Sequence, residues 1–361
     1  IGKFHNVDVL KGVVAHEIGH ITGQHPSRQE ENINNQSKIS LGAVAIGIAA
    51  GILSKNPEAA TAGIIGGTDV SMKNILRSSR TFEFSADQYA FSLLEKSGNS
   101  VVGMKEIFKY FQIEQRGSDV DPYLQTHPMS SERISALNTF LENSKYKTTT
   151  SSKSLQNRYF RSSYKLLAFT ENIEFATKVA SELSNKEVAD YMKAIISMRK
   201  GDQKSALLNI NKLLSDSPNN PYYNELKGQI YFEFGSKEAL QWYKKAATLL
   251  PMDNLMKMNI AVVAWNVYKN TPSALMQYIH YLKEIKDTEP DSLMAYYYLS
   301  LYYEAMKEKS LAQVHLANFY HKQGSPRSKP LAKSALKGLK PETPEWYWAK
   351  DILDEGEDNG A

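Results

Sequence analysis

The sequence predicts a mainly α-helical protein in two parts. A helical domain over 1–145 is joined by a short linker, 146–154, to a solenoid of helical hairpins over 155–355. Three observations predict this. Val7, Val9, Leu10, Val13, Val14, Ile18 and Ile21 place apolar residues at helical spacing around a His-Glu-Ile-Gly-His core. Beyond the linker, helix-length segments follow one another with short Asn, Pro and Gly breaks. Small and aromatic residues there return with a period of roughly 34 residues.

The first helix occupies residues 1–26, with Asn6 or Asp8 as its cap and Gly23 and Pro26 ending it. Residues 27–38 are polar and read as a mobile stretch. Two apolar runs follow, Ile39 to Leu53 and Ala59 to Gly67, both rich in Gly and Ala. Neither reaches the roughly 20 residues of a membrane-spanning helix. The segment 39–67 reads as a buried helical hairpin; the sharper reading is a cover over the histidines, or a peripheral contact with a membrane or an apolar partner. A helix resumes near Ser71 and carries Phe82 to Ala90, another runs from Val101 to Gln115, and Gly117 to Pro122 is a loop. Pro128 opens the next helix, and the Lys- and Thr-rich stretch after it is the linker.

In the second part, Ala194, Ala206 and Pro218 fall at the small, small and proline positions of a tetratricopeptide repeat (TPR). Gly228 and Tyr231, then Ala239, Ala246 and Pro251, mark the next unit, with a turn one residue short. A third diverges around Ala261 and Pro290, and a fourth shows Leu299, Ser300, Tyr303 and Ala312. Small residues suit close helix crossings and aromatics fill the space between hairpins. The competing description is an irregular helical bundle.

Composition sets limits. The 361 residues suffice for two or three domains, and 42% hydrophobic with 23% charged is the balance of a globular protein. A net charge of +4 is too mild to argue for nucleic acid. With no cysteine, disulfides and thiolate metal sites are excluded.

The chemistry centres on His16 and His20. Four residues apart, they share a helix face and can bind one tetrahedral zinc. Glu17 is placed to take a proton from a water that the metal acidifies. This is the HExxH pattern of zinc peptidases. The alternative is a core helix with two hydrogen-bonded histidines, but burying them unpaired costs desolvation. A catalytic zinc needs a third protein ligand. His25 is one residue off the spacing that would supply it. Glu83 is the better candidate, with Asp87 four residues on to accept a hydrogen bond from a ligand imidazole. In isolation the two acids would read as solvated. From its chemistry, His127 is a fourth ligand, a transition-state donor or a turn residue. Arg133 anchors that loop by an ion pair or is solvated.

His-Glu-Ile-Gly-His, Phe-Glu-Phe-Ser-Ala-Asp and Thr-His-Pro-Met-Ser-Ser-Glu-Arg, in this order, resemble the gluzincin peptidases of the HtpX type. With the repeat tail, the chain is similar to the BepA-like periplasmic metallopeptidases. That resemblance implies one zinc per chain on His16, His20 and Glu83, with Glu17 as general base and Asp87 supporting a ligand. It implies that 39–67 plugs the cleft and that His127 caps the metal as a switch. It also implies a periplasmic location, misassembled outer-membrane proteins as substrates, and the outer-membrane assembly machinery as partner. The substrate-aligning strand of such enzymes is not in this sequence, which therefore reads as the later part of a longer protein with an N-terminally truncated peptidase domain. Weak or absent proteolysis by this chain alone is the expectation, since positioning is a large share of the rate. Against the zinc endopeptidase stands a second class: a chaperone or scaffold for outer-membrane protein assembly whose protease site is closed or inactive. An integral membrane protease would need longer apolar runs.

Overall fold

The computed structural model describes residues 6–35, 57–114, 127 and 129–355; over 57–76 the backbone alone is described. The apolar run 39–53 and the 117–122 loop lie outside these residues. Among the described residues there are helices and turns and no strand, so the predicted all-α class holds. None of these helices is long and apolar enough to cross a membrane. The chain divides into two compact units, Ile1–Ser163 and Tyr164–Ala361.

The first unit is built on α1 (Val7–Thr22). Asn6 caps it, its side chain accepting from Asp8 N at 2.9 Å, and Gly23 closes it. Residues 25–35 form a further helix, α2, where the sequence suggested a mobile stretch. Pro26 lies in its first turn, the position where the missing N–H of proline costs nothing. Next comes α3 (Pro57–Lys96), 40 residues long, beginning well before Ser71. Pro57 again opens the helix, and Gly66 and Gly67 lie within it. Two shorter helices complete the set, α4 (Val102–Glu114) and α5 (Ser131–Asn143). Ser130 caps α5 by accepting from Arg133 N.

Val9, Ala15, Phe91, Leu94, Phe108 and Leu137, drawn from α1, α3, α4 and α5, share one apolar core. Each large side chain there stabilises by about 1.5–3 kcal/mol. The crossing of α1 and α3 is closest at Gly19, where an added Cβ would lie 2.8 Å from the carbonyl oxygen of Ala86 and 2.9 Å from its Cα. No side chain intervenes, so backbone packs on backbone. This contact sets the histidines of α1 against the Glu83 and Asp87 turn of α3.

The 146–154 stretch is tied down within this unit. Asp8, buried at 6% exposure, accepts from the Ser151 amide at 3.1 Å and from the Ser151 hydroxyl. Val7 N donates to Gln156 Oε1 at 3.0 Å. These bonds satisfy first-turn groups of α1 that would otherwise be orphaned.

The second unit is a succession of antiparallel helices. Examples are Lys186–Arg199 with Gln203–Asp216, Pro221–Glu233 with Ala239–Leu249, and Leu293–Ala305 with Lys309–His321. Asn185, Asp202 and Asn220 cap the first three, each side chain accepting from a backbone N–H. Ala194, Ala206, Ala246 and Ala261, picked out by their spacing, are all fully buried. Gly228 admits the ring of Tyr243, which a Cβ there would meet at 3.0 Å. Tyr302 is fully buried and its hydroxyl donates to Ala261 O at 2.8 Å, whereas Tyr297 is 36% exposed.

Candidate metal centre

The α1–α3 crossing brings together side chains far apart in sequence. His16 Nε2 and His20 Nε2 lie 3.0 Å apart. Glu83 Oε1 is 3.1 Å from His20 Nε2, and Glu83 Oε2 is 3.4 Å from His16 Nε2. His127 completes the group, its Nδ1 3.0 Å from Glu83 Oε1. One donor atom from each of the four lies within 4.8 Å of every other, in the one such grouping among the described residues. Ligand atoms arranged tetrahedrally about zinc at ~2.0–2.1 Å would be about 3.3 Å apart. The separations of 3.0–3.4 Å lie near that edge length, and the whole group stays within 4.8 Å. Three imidazole nitrogens and a carboxylate therefore converge on a volume suited to one small divalent cation.

The orientation of His16 suits ligation. Its Nδ1 donates to Asp87 Oδ1 at 2.9 Å, which turns Nε2 towards the cluster. Asp87 is itself fully buried and is held from the other side by Arg133, whose Nε donates to Oδ2 at 2.5 Å and Nη2 to Oδ1 at 3.0 Å. Arg133 Nη1 also lies 2.9 Å from Glu83 Oε2. Arg133 is 3% exposed, so the solvated alternative does not apply. Its guanidinium thus contacts two buried carboxylates at once. Glu17, the candidate base, is half-buried on α1 next to His16.

These contacts move the acid–base chemistry. Burial opposes charging His16, but hydrogen bonds to Asp87 and Glu83 and the charges on both outweigh it, raising its pKa from 6.5 to about 9. Burial likewise opposes ionising Glu83; the hydrogen bonds from His127, His16 and His20 and the Arg133 charge reverse this and hold it far below the usual carboxylate range. A hollow lined by Val13, Met104, Ile107, Phe108 and Phe111 adjoins His16, His127 and Arg133.

His16, His20, Glu83 and His127 meet in one cluster, and Asp87 and Arg133 support it. His25 lies outside the donor set. What the sequence did not reveal is the fork of Arg133 onto both acids, because Arg133 is separated from them by some 46 residues and nothing in its own segment signals burial.

Residues 1–141 match Peptidase family M48. A protein of Vibrio cholerae serotype O1, whose name calls it a beta-barrel assembly-enhancing protease, is 32% identical over 126 residues, which is 35% of this chain and 26% of that protein. The chain thus spans about a quarter of that relative's length. Among solved structures, a crystal structure of MamA shares 21% identity at a TM-score of 0.35, covering 46% of this chain and 95% of its own. A MamA RS-1 double mutant shares 13% at a TM-score of 0.37, covering 48% and 98%. Peptidases of this family depend on a metal, and the cluster supplies donors for one. Over residues 1–141, the stretch that carries all four donors, the chain is thus similar to peptidase family M48.

Proposed function

We propose that the chain carries a zinc-dependent endopeptidase site with His16, His20 and Glu83 as metal ligands and Glu17 as general base. The convergence of four donor atoms, all within 4.8 Å of one another, carries this reading. Two imidazoles and one carboxylate leave a single coordination position for chemistry. A zinc ion held there supplies Lewis acidity to a peptide carbonyl and to water.

The protein's own groups do the rest. Glu17 accepts a proton from the attacking water and passes it to the leaving amine. Asp87 accepts from His16 Nδ1, and Arg133 holds Asp87 and Glu83 in place. His127 sits among the donors, where a fourth ligand would close the position that catalysis needs open. That placement supports a resting site held shut by His127, and it keeps in view the second reading, an assembly factor whose protease site is normally closed.

In this proposal residues 1–145 form the peptidase domain and 155–355 a TPR-like tail that recruits protein substrates. The Vibrio relative's name and the resemblance of the motifs favour misassembled outer-membrane proteins in the periplasm as substrates, with the barrel-assembly machinery as partner. The test uses purified chain with zinc and an unfolded β-barrel protein as substrate, comparing parent, His127→Ala and His127→Ala combined with Glu17→Gln. The proposal expects cleavage by the His127→Ala chain that the added Glu17→Gln change abolishes. Equal cleavage with and without Glu17 would refute the assigned base.

A further inference from the structure

His25 is 4% exposed, and its Nδ1 lies 3.1 Å from Nδ1 of His20. This is the ring nitrogen of His20 turned away from the donor cluster, because Nε2 is the one that approaches His16 and Glu83. The chain is bent to place it there. Gly23 closes α1, Gln24 takes a φ of 53°, and His25 follows directly. The left-handed region is strained for a non-glycine residue. A Cβ on residue 23 would fall 2.2 Å from His25 Nε2 and 2.6 Å from its Cδ2. Residue 23 is thus kept bare by the imidazole itself. On another side the ring stacks on Phe82, with centroids 4.8 Å apart and planes 21° from parallel. Gly23, the strained Gln24 and Phe82 all serve one ring position.

Neutral imidazole carries one N–H and one lone pair. If His20 is to offer the lone pair of Nε2 to a metal, its proton must sit on Nδ1 and needs an acceptor. For His16 that acceptor is Asp87. We propose that His25 is the corresponding positioning residue for His20: its Nδ1 accepts the His20 Nδ1 proton, fixing the tautomer and ring plane in which His20 presents Nε2 to the metal. This rests on the metal-site reading above. It gives the second ligand a neutral partner where the first has a charged one.

The test measures zinc affinity of the full chain by competition with a chromogenic chelator, for the parent and for His25→Leu, His25→Asn and Gly23→Ala. The Leu variant keeps bulk against Phe82 but removes the acceptor. In the Asn variant, Oδ1 stands where Nδ1 stood. The Ala variant displaces the ring. Losing such a partner weakens metal affinity by about 10–100-fold. That loss is expected for Leu and for Ala, with Asn restoring nearly parental affinity. Parental affinity in the Leu variant, or equal weakening in Leu and Asn, overturns the proposal. Should the Leu and Ala variants fail to fold, as judged by circular dichroism, the imidazole ¹H–¹⁵N spectrum of the zinc-loaded parent decides. His20 protonated at Nδ1 is the expected result, and protonation at Nε2 overturns it. A parent that binds no zinc refutes the site itself; a parent that binds while the Leu variant binds equally refutes the role of His25 alone.

Discussion

Arg133 and Asp87 are joined by two hydrogen bonds in the interior of the first unit, Nε to Oδ2 at 2.5 Å and Nη2 to Oδ1 at 3.0 Å, with Arg133 at 3% and Asp87 at 0% exposure. The same guanidinium faces Glu83 at 2.9 Å. Replacing Arg133 with Leu would leave two buried carboxylates without their cation. Breaking a buried pair in this way costs about 3–5 kcal/mol. Urea unfolding of Arg133→Leu should show a loss of that order. A loss near zero would mean that the pair is solvated in solution.

Gly19→Ala should destabilise by about 1–3 kcal/mol, the usual cost of overpacking. The new Cβ would press on the Ala86 carbonyl oxygen and Cα, and backbone cannot swing aside as a side chain can. Because this contact sets the distance between α1 and α3, the substitution should weaken metal binding as well as lower the melting temperature. Thermal melts and chelator competition on one preparation check both.

Metal-free and metal-loaded forms should respond to pH in opposite directions around His16. Its folded pKa, about 9, is raised above 6.5 by Asp87 and Glu83 against the opposing effect of burial. In the metal-free chain the charged imidazole therefore adds stability that is fully present below pH 6.5 and is lost as pH rises through about 9. A metal must displace that proton, so zinc affinity should climb over the same interval. Melting and zinc titrations across this range check the two slopes, with His16→Ala flattening the first.

His315 predicts an acid limit for the second unit. It is 2% exposed, and its ring lies parallel to Tyr303 with centroids 5.3 Å apart. Burial, helped by Lys286 and Lys283, lowers its pKa from 6.5 to about 3. A depressed folded pKa means that stability is whole above pH 6.5 and falls as pH drops towards about 3. Thermal melts of the parent should decline through this window, and His315→Leu should shrink the decline.

Most of the candidate site was legible because helical spacing places it. His16 and His20 on one face of α1, and Glu83 and Asp87 on one face of α3, follow from four-residue intervals. The buried alanines of the repeats were legible for a similar reason, since close helix crossings tolerate only small residues. Other features depend on contacts that spacing does not report. The polar α2 has no apolar stripe to announce it and starts from a left-handed turn at Gln24. In sequence the run Ala59 to Gly67 stands apart from the helix near Ser71, whereas α3 is continuous from Pro57 to Lys96. The fork of Arg133 onto Asp87 and Glu83 and the seat of His25 beneath His20 arise only when separate segments meet.

The central claim is that His16, His20 and Glu83 hold one metal ion. The most direct measurement is metal content after zinc loading and gel filtration, for the parent chain and for His16→Ala and Glu83→Gln. One zinc per parent chain, lost in both variants, is the predicted result. A parent without zinc, or variants that retain a full equivalent, would contradict it.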